Sequence, residues 1–141
     1  MHNATLSSEL HTSSGAANAF DGKFPLRGWD SKICVHSGHA SKQWWKVEFK
    51  KRVVIHHIHF YNRPPDNYSR RSSNMAIKAL LIDNNKISVT TICAYTGEMA
   101  DVLEKIFFCR EPETLADELL FDENKDNAIN FCEIIPYGHT L

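Results

Sequence analysis

Trp44-Trp45-Lys46-Val47-Glu48-Phe49, followed after a short basic interval by Val54 through Phe60-Tyr61-Asn62-Arg63, is the stretch on which the fold turns. Trp45, Val47 and Phe49 alternate with Lys46, Glu48 and Lys50, the period-two signature of a strand with one buried face. Val54, Ile58 and Phe60 share a face across the next run. Arg63-Pro64-Pro65-Asp66-Asn67 then breaks that run into a loop. Working outward, further strands are predicted over 77–82, 87–95, 105–109, 118–121 and 128–135, with Asp83-Asn84-Asn85 as a turn between two of them. The segment before residue 40 is turn-rich (Ser13-Ser14-Gly15, Asp21-Gly22, Ser37-Gly38) and poor in strands. Helix is expected only over 13–20 and 113–119. Many short strands joined by long connections predict an all-β sandwich.

The chain has 141 residues, enough to bury roughly two-thirds of its unfolded surface in one domain. No internal repeat or low-complexity linker divides it, so residues 1–141 are assigned to a single domain. Hydrophobic residues make up 43% and charged residues 23%, ordinary globular usage that argues against disorder. A formal net charge of −1 provides no global pull toward nucleic acid. The basic runs Lys50-Lys51-Arg52 and Arg70-Arg71 are short enough to be solvated surface. No apolar stretch of about 20 residues is present to form a transmembrane segment.

Cys34, Cys93, Cys109 and Cys132 form no CxxC pair, which disfavours zinc. Four cysteines allow three connectivities. One of them nests a short loop, Cys93–Cys109, inside a long one, Cys34–Cys132, for roughly 3 and 4–5 kcal/mol of loop entropy. Disulfides require an oxidising compartment, yet Met1-His2-Asn3-Ala4-Thr5 is not an apolar signal segment. Either a leader or a larger N-terminal portion precedes this sequence, or the thiols are free and the protein is cytosolic. The first is favoured, giving an extracellular expectation.

One imidazole and two guanidiniums stand at suggestive spacing. His36 and Arg63 have 26 residues between them, and Asp66 and Arg71 have four. Carried on loops beside hydrophobic strands, they form a cluster of hydrogen-bond donors suited to a neutral, hydroxyl-rich ligand as well as to an anion.

The chain resembles the F-type lectin, or fucolectin, domain of the discoidin-like galactose-binding fold. The resemblance runs from Ala4-Thr5-Leu6-Ser7-Ser8 through Ala17-Asn18-Ala19-Phe20-Asp21-Gly22 and Cys34-Val35-His36 to the Trp-Trp-Lys-Val-Glu-Phe strand. It continues with Tyr61-Asn62-Arg63, Cys132-Glu133-Ile134 and Tyr137-Gly138. The family's opening strand, just before Ala4, is mostly absent. The resemblance implies a β-sandwich of jelly-roll type with short helical turns in its loops, a sugar site on loops at one end, and no catalysis. It assigns L-fucose to His36, Arg63 and Arg71. Arg holds its donors in a rigid fork that separates axial from equatorial hydroxyls, and Asp66 would orient one of the arginines. Trp29 matches an aromatic pocket position for the sugar methyl, with His11 a weaker candidate.

Two departures from the family pattern bear on the site. Pro64 and Pro65 both stand where one residue usually separates Arg from Asp, so counting forward selects Arg70 and counting back from Ile77 selects Arg71. Arg71 is preferred because it keeps the four-residue spacing from Asp66. Asn67-Tyr68 replaces a vicinal cystine, and Tyr68 could stack on the sugar ring instead. Asn67-Tyr68-Ser69 is also a glycosylation sequon, as is Asn3-Ala4-Thr5.

The resemblance further implies the pairings Cys34–Cys132 and Cys93–Cys109. It also implies a structural calcium near Asn18, Asp21, a carbonyl around Lys23, the Cys34 region and Glu133, with Ile33 where a Ser oxygen is often found. Hard oxygen ligands at a turn suit that ion. Expected partners are fucosylated glycans or glycoproteins, met by several domains in a homo-oligomer or a multidomain chain, since single sugar sites bind weakly.

Residues 122–127, with Ile129 and Glu133, nearly follow the EF-hand pattern, but Asn127 takes the place of the glycine and Pro136 forbids an exiting helix. A loop into the last strand is the better reading. His57 and His59 alternate onto one strand face without an acidic or cysteine partner, so they read as ordinary strand residues. Cys34 and His36 as a thiol–imidazole pair lack any oxyanion motif. The alternative function is a discoidin-like adhesion module for protein or phospholipid, which exposed Trp and Phe at loop tips with basic neighbours would favour.

Overall fold

In the computed structural model residues 1–25, 30, 32–123 and 127–141 are described. Eight strands run in the order β1 (Asn3–Leu6), β2 (Val35–His36), β3 (Trp44–Asn62), β4 (Ala76–Asp83), β5 (Lys86–Tyr95), β6 (Glu104–Phe108), β7 (Thr114–Asp122) and β8 (Asn130–Thr140). All pairings are antiparallel.

β3 organises the rest. It joins the two runs that the sequence presents separately, and its first half pairs with β1 and β7 while its second pairs with β8 and β6. The register slips between Glu48 and Val53 and again at His56 and near Asn62. Such bulges bend a strand and raise its twist, so β3 passes from one layer to the other. One layer continues through β7 to β4 and β5, and the other through β8 to β2. Between them lie Trp45, Phe60, Phe121 and Phe131, all fully buried, with centroids 5.3–6.0 Å apart. Trp45 Nε1–H donates to the Ala16 carbonyl at 2.9 Å, which satisfies its one polar atom.

The Asp83–Lys86 turn places Asn84 and Asn85 at φ +52° and +60°, the left-handed pair of a tight hairpin, where Asn is well tolerated. Gly138 is required for a different reason. A Cβ there would lie 1.7 Å from the Val54 carbonyl oxygen, so β8 approaches β3 through a missing side chain.

Two expectations are corrected. Residues 113–119 are not helical. Thr114, Ala116, Leu119 and Phe121 point inward along β7, which is paired on both sides, and that pairing overrides the helix propensity of Ala-Asp-Glu-Leu-Leu. β8 also runs five residues beyond the predicted 128–135. Residues 13–20 form two 3₁₀ turns, Thr12–Ser14 and Ala16–Phe20, separated by Gly15. Cys34 pairs with Cys132 and Cys93 with Cys109, so Cys34 has no thiol for nucleophilic attack.

Candidate functional site

The second layer ends where β2, the loop after β3 and a 3₁₀ turn at Ser69–Ser72 meet. Asn62 builds this corner. It falls on the buried parity of Ile58 and Phe60, and its side chain is fully inside. Its Nδ2 donates to the carbonyls of Ser69, Met99 and Val102, each at 3.0 Å. Its Oδ1 accepts the Arg63 backbone N–H and the Ser72 hydroxyl. Because a buried amide must be satisfied, Asn62 ties the end of β3 to the turn that carries Arg71. The motif containing it was recognised in the sequence, but its role was not. A polar residue in register with a buried stripe was the available signal.

Arg63 is 8% exposed. Its Nε donates to Asp66 Oδ2 at 2.6 Å, while Asp66 Oδ1 accepts the Tyr68 N–H at 2.7 Å. Asp66 therefore orients Arg63. The Tyr68 ring lies beneath both guanidiniums, with its centroid 5.1 Å from Arg63 Cζ and 4.4 Å from Arg71 Cζ, an arrangement that favours both charges. Tyr68 is 49% exposed and so offers its ring to solvent.

Arg71 Nη1 lies 2.7 Å from His36 Nε2. Arg70 is exposed and Arg71 is half-buried, so Arg71 is the arginine that joins the cluster. Burial, and next the charge of Arg63, draws the Arg71 guanidinium below its ordinary value. His36 is 2% exposed. Burial lowers its pKa to about 4, against the bond to Ser37 and with Arg71, His39 and Arg63 reinforcing the shift. Its Nδ1 lies 2.6 Å from the Ser37 carbonyl and must be the donor there. Nε2 is then an acceptor filled by Arg71. The expectation of a pure donor cluster is thus revised to two guanidiniums beside an imidazole acceptor. His11 lies on the loop beside this rim, where Leu10 N–H donates to the His36 carbonyl. Trp29 lies outside the described residues.

A second polar region adjoins the first. Asn18 Nδ2 donates to the carbonyls of Ser13 and Cys34 at 2.7 and 3.1 Å. Asp21 caps the end of its 3₁₀ turn and holds the Lys23 ammonium at 3.3 Å. Glu133 is 3% exposed, and its Oε2 is buried without a partner. Burial raises its pKa to about 7, opposed by a bond from Gly22 N–H and reinforced by Asp21. Among the described residues no three His, Cys, Asp or Glu side chains are grouped for a metal. A cation here would need carbonyl oxygens beside the two carboxylates. An orphaned buried carboxylate oxygen with hard donors around it fits calcium.

The other motifs fall elsewhere. The His57 ring stacks on Tyr137 at 4.7 Å and 11°, and His59 packs against Tyr61 and Tyr137. Asp122 ends β7 bound to Lys78, and Glu133 sits inside β8. The two ends of the EF-hand-like segment are therefore strand residues, while positions 124–126 lie outside the described residues. Phe24 is 41% exposed but packs edge-on against Tyr61 at 4.7 Å.

No family model matches the chain, and no curated protein does. Solved structures do. A fucolectin from the serum of striped bass, Morone saxatilis, superposes with a TM-score of 0.84 at 18% identity, over 98% of this chain and 47% of that one. The lectin domain of lectinolysin, complexed with Lewis B antigen, matches with a TM-score of 0.80 at 18% identity, over 99% and 94%. A fucose-binding module of Streptococcus pneumoniae matches with 0.78 at 17%, over 98% and 92%. The chain has the fold of these lectin domains and fucose-binding modules.

Proposed function

We propose that this domain is an F-type lectin that binds terminal L-fucose on glycans or glycoproteins and performs no chemistry. The observation that carries the reading is the neutral His36 ring whose acceptor, Nε2, meets Arg71. A sugar hydroxyl can insert between them, donating to the single Nε2 lone pair in place of Arg71 Nη1 and accepting from the displaced guanidinium. A fully deprotonated anion such as a carboxylate has no proton to offer Nε2. Arg63, held by Asp66, supplies further donors, each charged hydrogen bond contributing about 1.5–3 kcal/mol. Tyr68 gives the apolar face of the sugar a ring to lie against. A calcium ion held by Asp21, Glu133 and neighbouring carbonyls, with Asn18, Lys23 and Cys34 around it, would stiffen the loops behind the site. The disulfides suit an extracellular setting, and presentation on several domains would supply avidity.

A glycan array followed by calorimetric titration tests this. Fucosylated glycans should be retained, and Arg71→Ala or His36→Ala should weaken binding by about 10- to 100-fold with the melting temperature within a few degrees. Arg70→Ala should bind as the unaltered protein does. Retention of protein or phospholipid surfaces with no fucosylated glycan, or unchanged binding by Arg71→Ala, would refute the reading.

A further inference from the structure

The run His56-His57-Ile58-His59 is not absorbed by the sugar site, and the structure redistributes its residues. His57 and His59 are committed to aromatic packing. His56 stands at the slip in register between Ile55 and His57 and is exposed. There it meets His139, which is exposed on β8 and paired in register with Val54. His56 Nε2 and His139 Nδ1 are 3.3 Å apart, and the rings are tilted by 43°. Two imidazole nitrogens converge on one point, from residues 83 positions apart.

We propose that His56 and His139 form a binding site for a borderline divalent transition-metal ion, with zinc as its representative. Three considerations lead there. The separation of 3.3 Å is at the long end for a direct bond between two ring nitrogens. It is close to the spacing of two nitrogens sharing a tetrahedral zinc, about 3.3–3.4 Å for bonds of about 2.0–2.1 Å. Imidazole is the ligand that zinc, nickel and copper share, whereas calcium and magnesium prefer oxygen. The bulge supplies the geometry: the ladder passes from Ile55 opposite Gly138 to His57 opposite Tyr137, which leaves His56 as the extra residue, outside the pairing and exposed.

The site is remote from the sugar rim. His36 pairs with Asn130 at the start of β8, and His139 lies nine residues on, about 30 Å along an extended strand. With solvent completing the coordination, the ion clips the C-terminal end of β8 to the middle of β3. Its effect is on the cohesion of that edge and is separate from glycan recognition.

The test titrates Zn²⁺ into the full chain by calorimetry, with thermal melting in parallel, in calcium-containing buffer without chelators. One ion should bind, and saturating Zn²⁺ should raise the melting temperature. His56→Ala and His139→Ala should each weaken binding at least tenfold, and His57→Ala should leave it unchanged. Copper-induced broadening of histidine NMR signals should be confined to these two rings. Undiminished Zn²⁺ binding by the His56→Ala/His139→Ala variant would overturn the proposal, as would no saturable binding at millimolar Zn²⁺.

Discussion

Two buried polar regions share one side of the sandwich, and they handle charge in opposite ways. At the rim, Arg63 and Arg71 bring two positive charges together. The fold answers with Asp66 at 2.6 Å, a neutral imidazole and the face of Tyr68. Behind it, Asp21 and Glu133 bring two carboxyls together. Among the described residues the lysine paired with them is Lys23, whose side chain is 63% exposed and meets Asp21 at 3.3 Å. The rim therefore sets one carboxylate and an aromatic face against two guanidiniums, a partial compensation that leaves donors for the oxygens of a ligand. In the carboxyl region Glu133 Oε2 is buried without a protein partner, and on the proposed reading a cation would complete it. On the proposed reading, the difference is why guanidiniums at one place would meet a sugar and carboxyls at the other a metal ion.

The Cys34–Cys132 bridge stands between the two. Cys34 lies two residues before His36, and Cys132 precedes Glu133. The largest expected effect comes from removing it. Cys34→Ala/Cys132→Ala should lower stability by about 4–5 kcal/mol, against about 3 kcal/mol for Cys93→Ala/Cys109→Ala, because the closed loops differ in length. Urea unfolding of both pairs checks the order. If the bridge couples the regions, only the first pair should weaken both sugar and calcium binding. A larger loss from the second pair would break the comparison.

Calcium comes next in size. A ligand at 100 times its dissociation constant stabilises by about 2.7 kcal/mol. Calcium should raise the melting temperature accordingly, and a chelator should reverse the gain. Glu133→Gln, which keeps the shape and removes the charge, should abolish the response while Asp66→Asn retains it. A calcium response that survives Glu133→Gln would place the ion elsewhere.

How much of this was legible in the sequence depends on how local the cause is. The strand β3 was readable because Trp45, Val47, Ile58 and Phe60 alternate with polar residues, and period two needs no partner to be seen. The rim residues were readable as a spacing, and the count from Asp66 picked out Arg71. The roles of Asn62 and of the Tyr68 ring were not, since both depend on which carbonyls and guanidiniums the loops bring near. The helix expected over 113–119 failed for the same reason. Its residues favour helix locally, and only the two neighbouring strands decide otherwise. The protonation of His36 is more distant still, because burial and a carbonyl set it.

That last point has no effect at neutral pH and supplies the sharpest discrimination. The His36 pKa is lowered to about 4, chiefly by burial, whereas an unfolded histidine titrates near 6.5. Between those values the unfolded chain binds a proton that the folded one refuses. His36 therefore costs no stability above pH about 6.5, and its penalty grows as pH falls toward 4 and then levels off. The difference corresponds to about 3 kcal/mol once pH is below 4; the Nδ1–H bond to Ser37 persists in the imidazolium, and the Nε2 contact with Arg71 is given up. Fucose affinity should hold from pH 8 to about 5 and collapse near 4, when Nε2 acquires a proton and faces Arg71, Arg63 and His39 as a third cation. NMR titration of the His36 ring measures the pKa directly. A value near 6.5 would mean that the imidazole is charged at mildly acidic pH. The rim would then be a cluster of three cations suited to an anion, and its contrast with the carboxyl region would be one of sign alone.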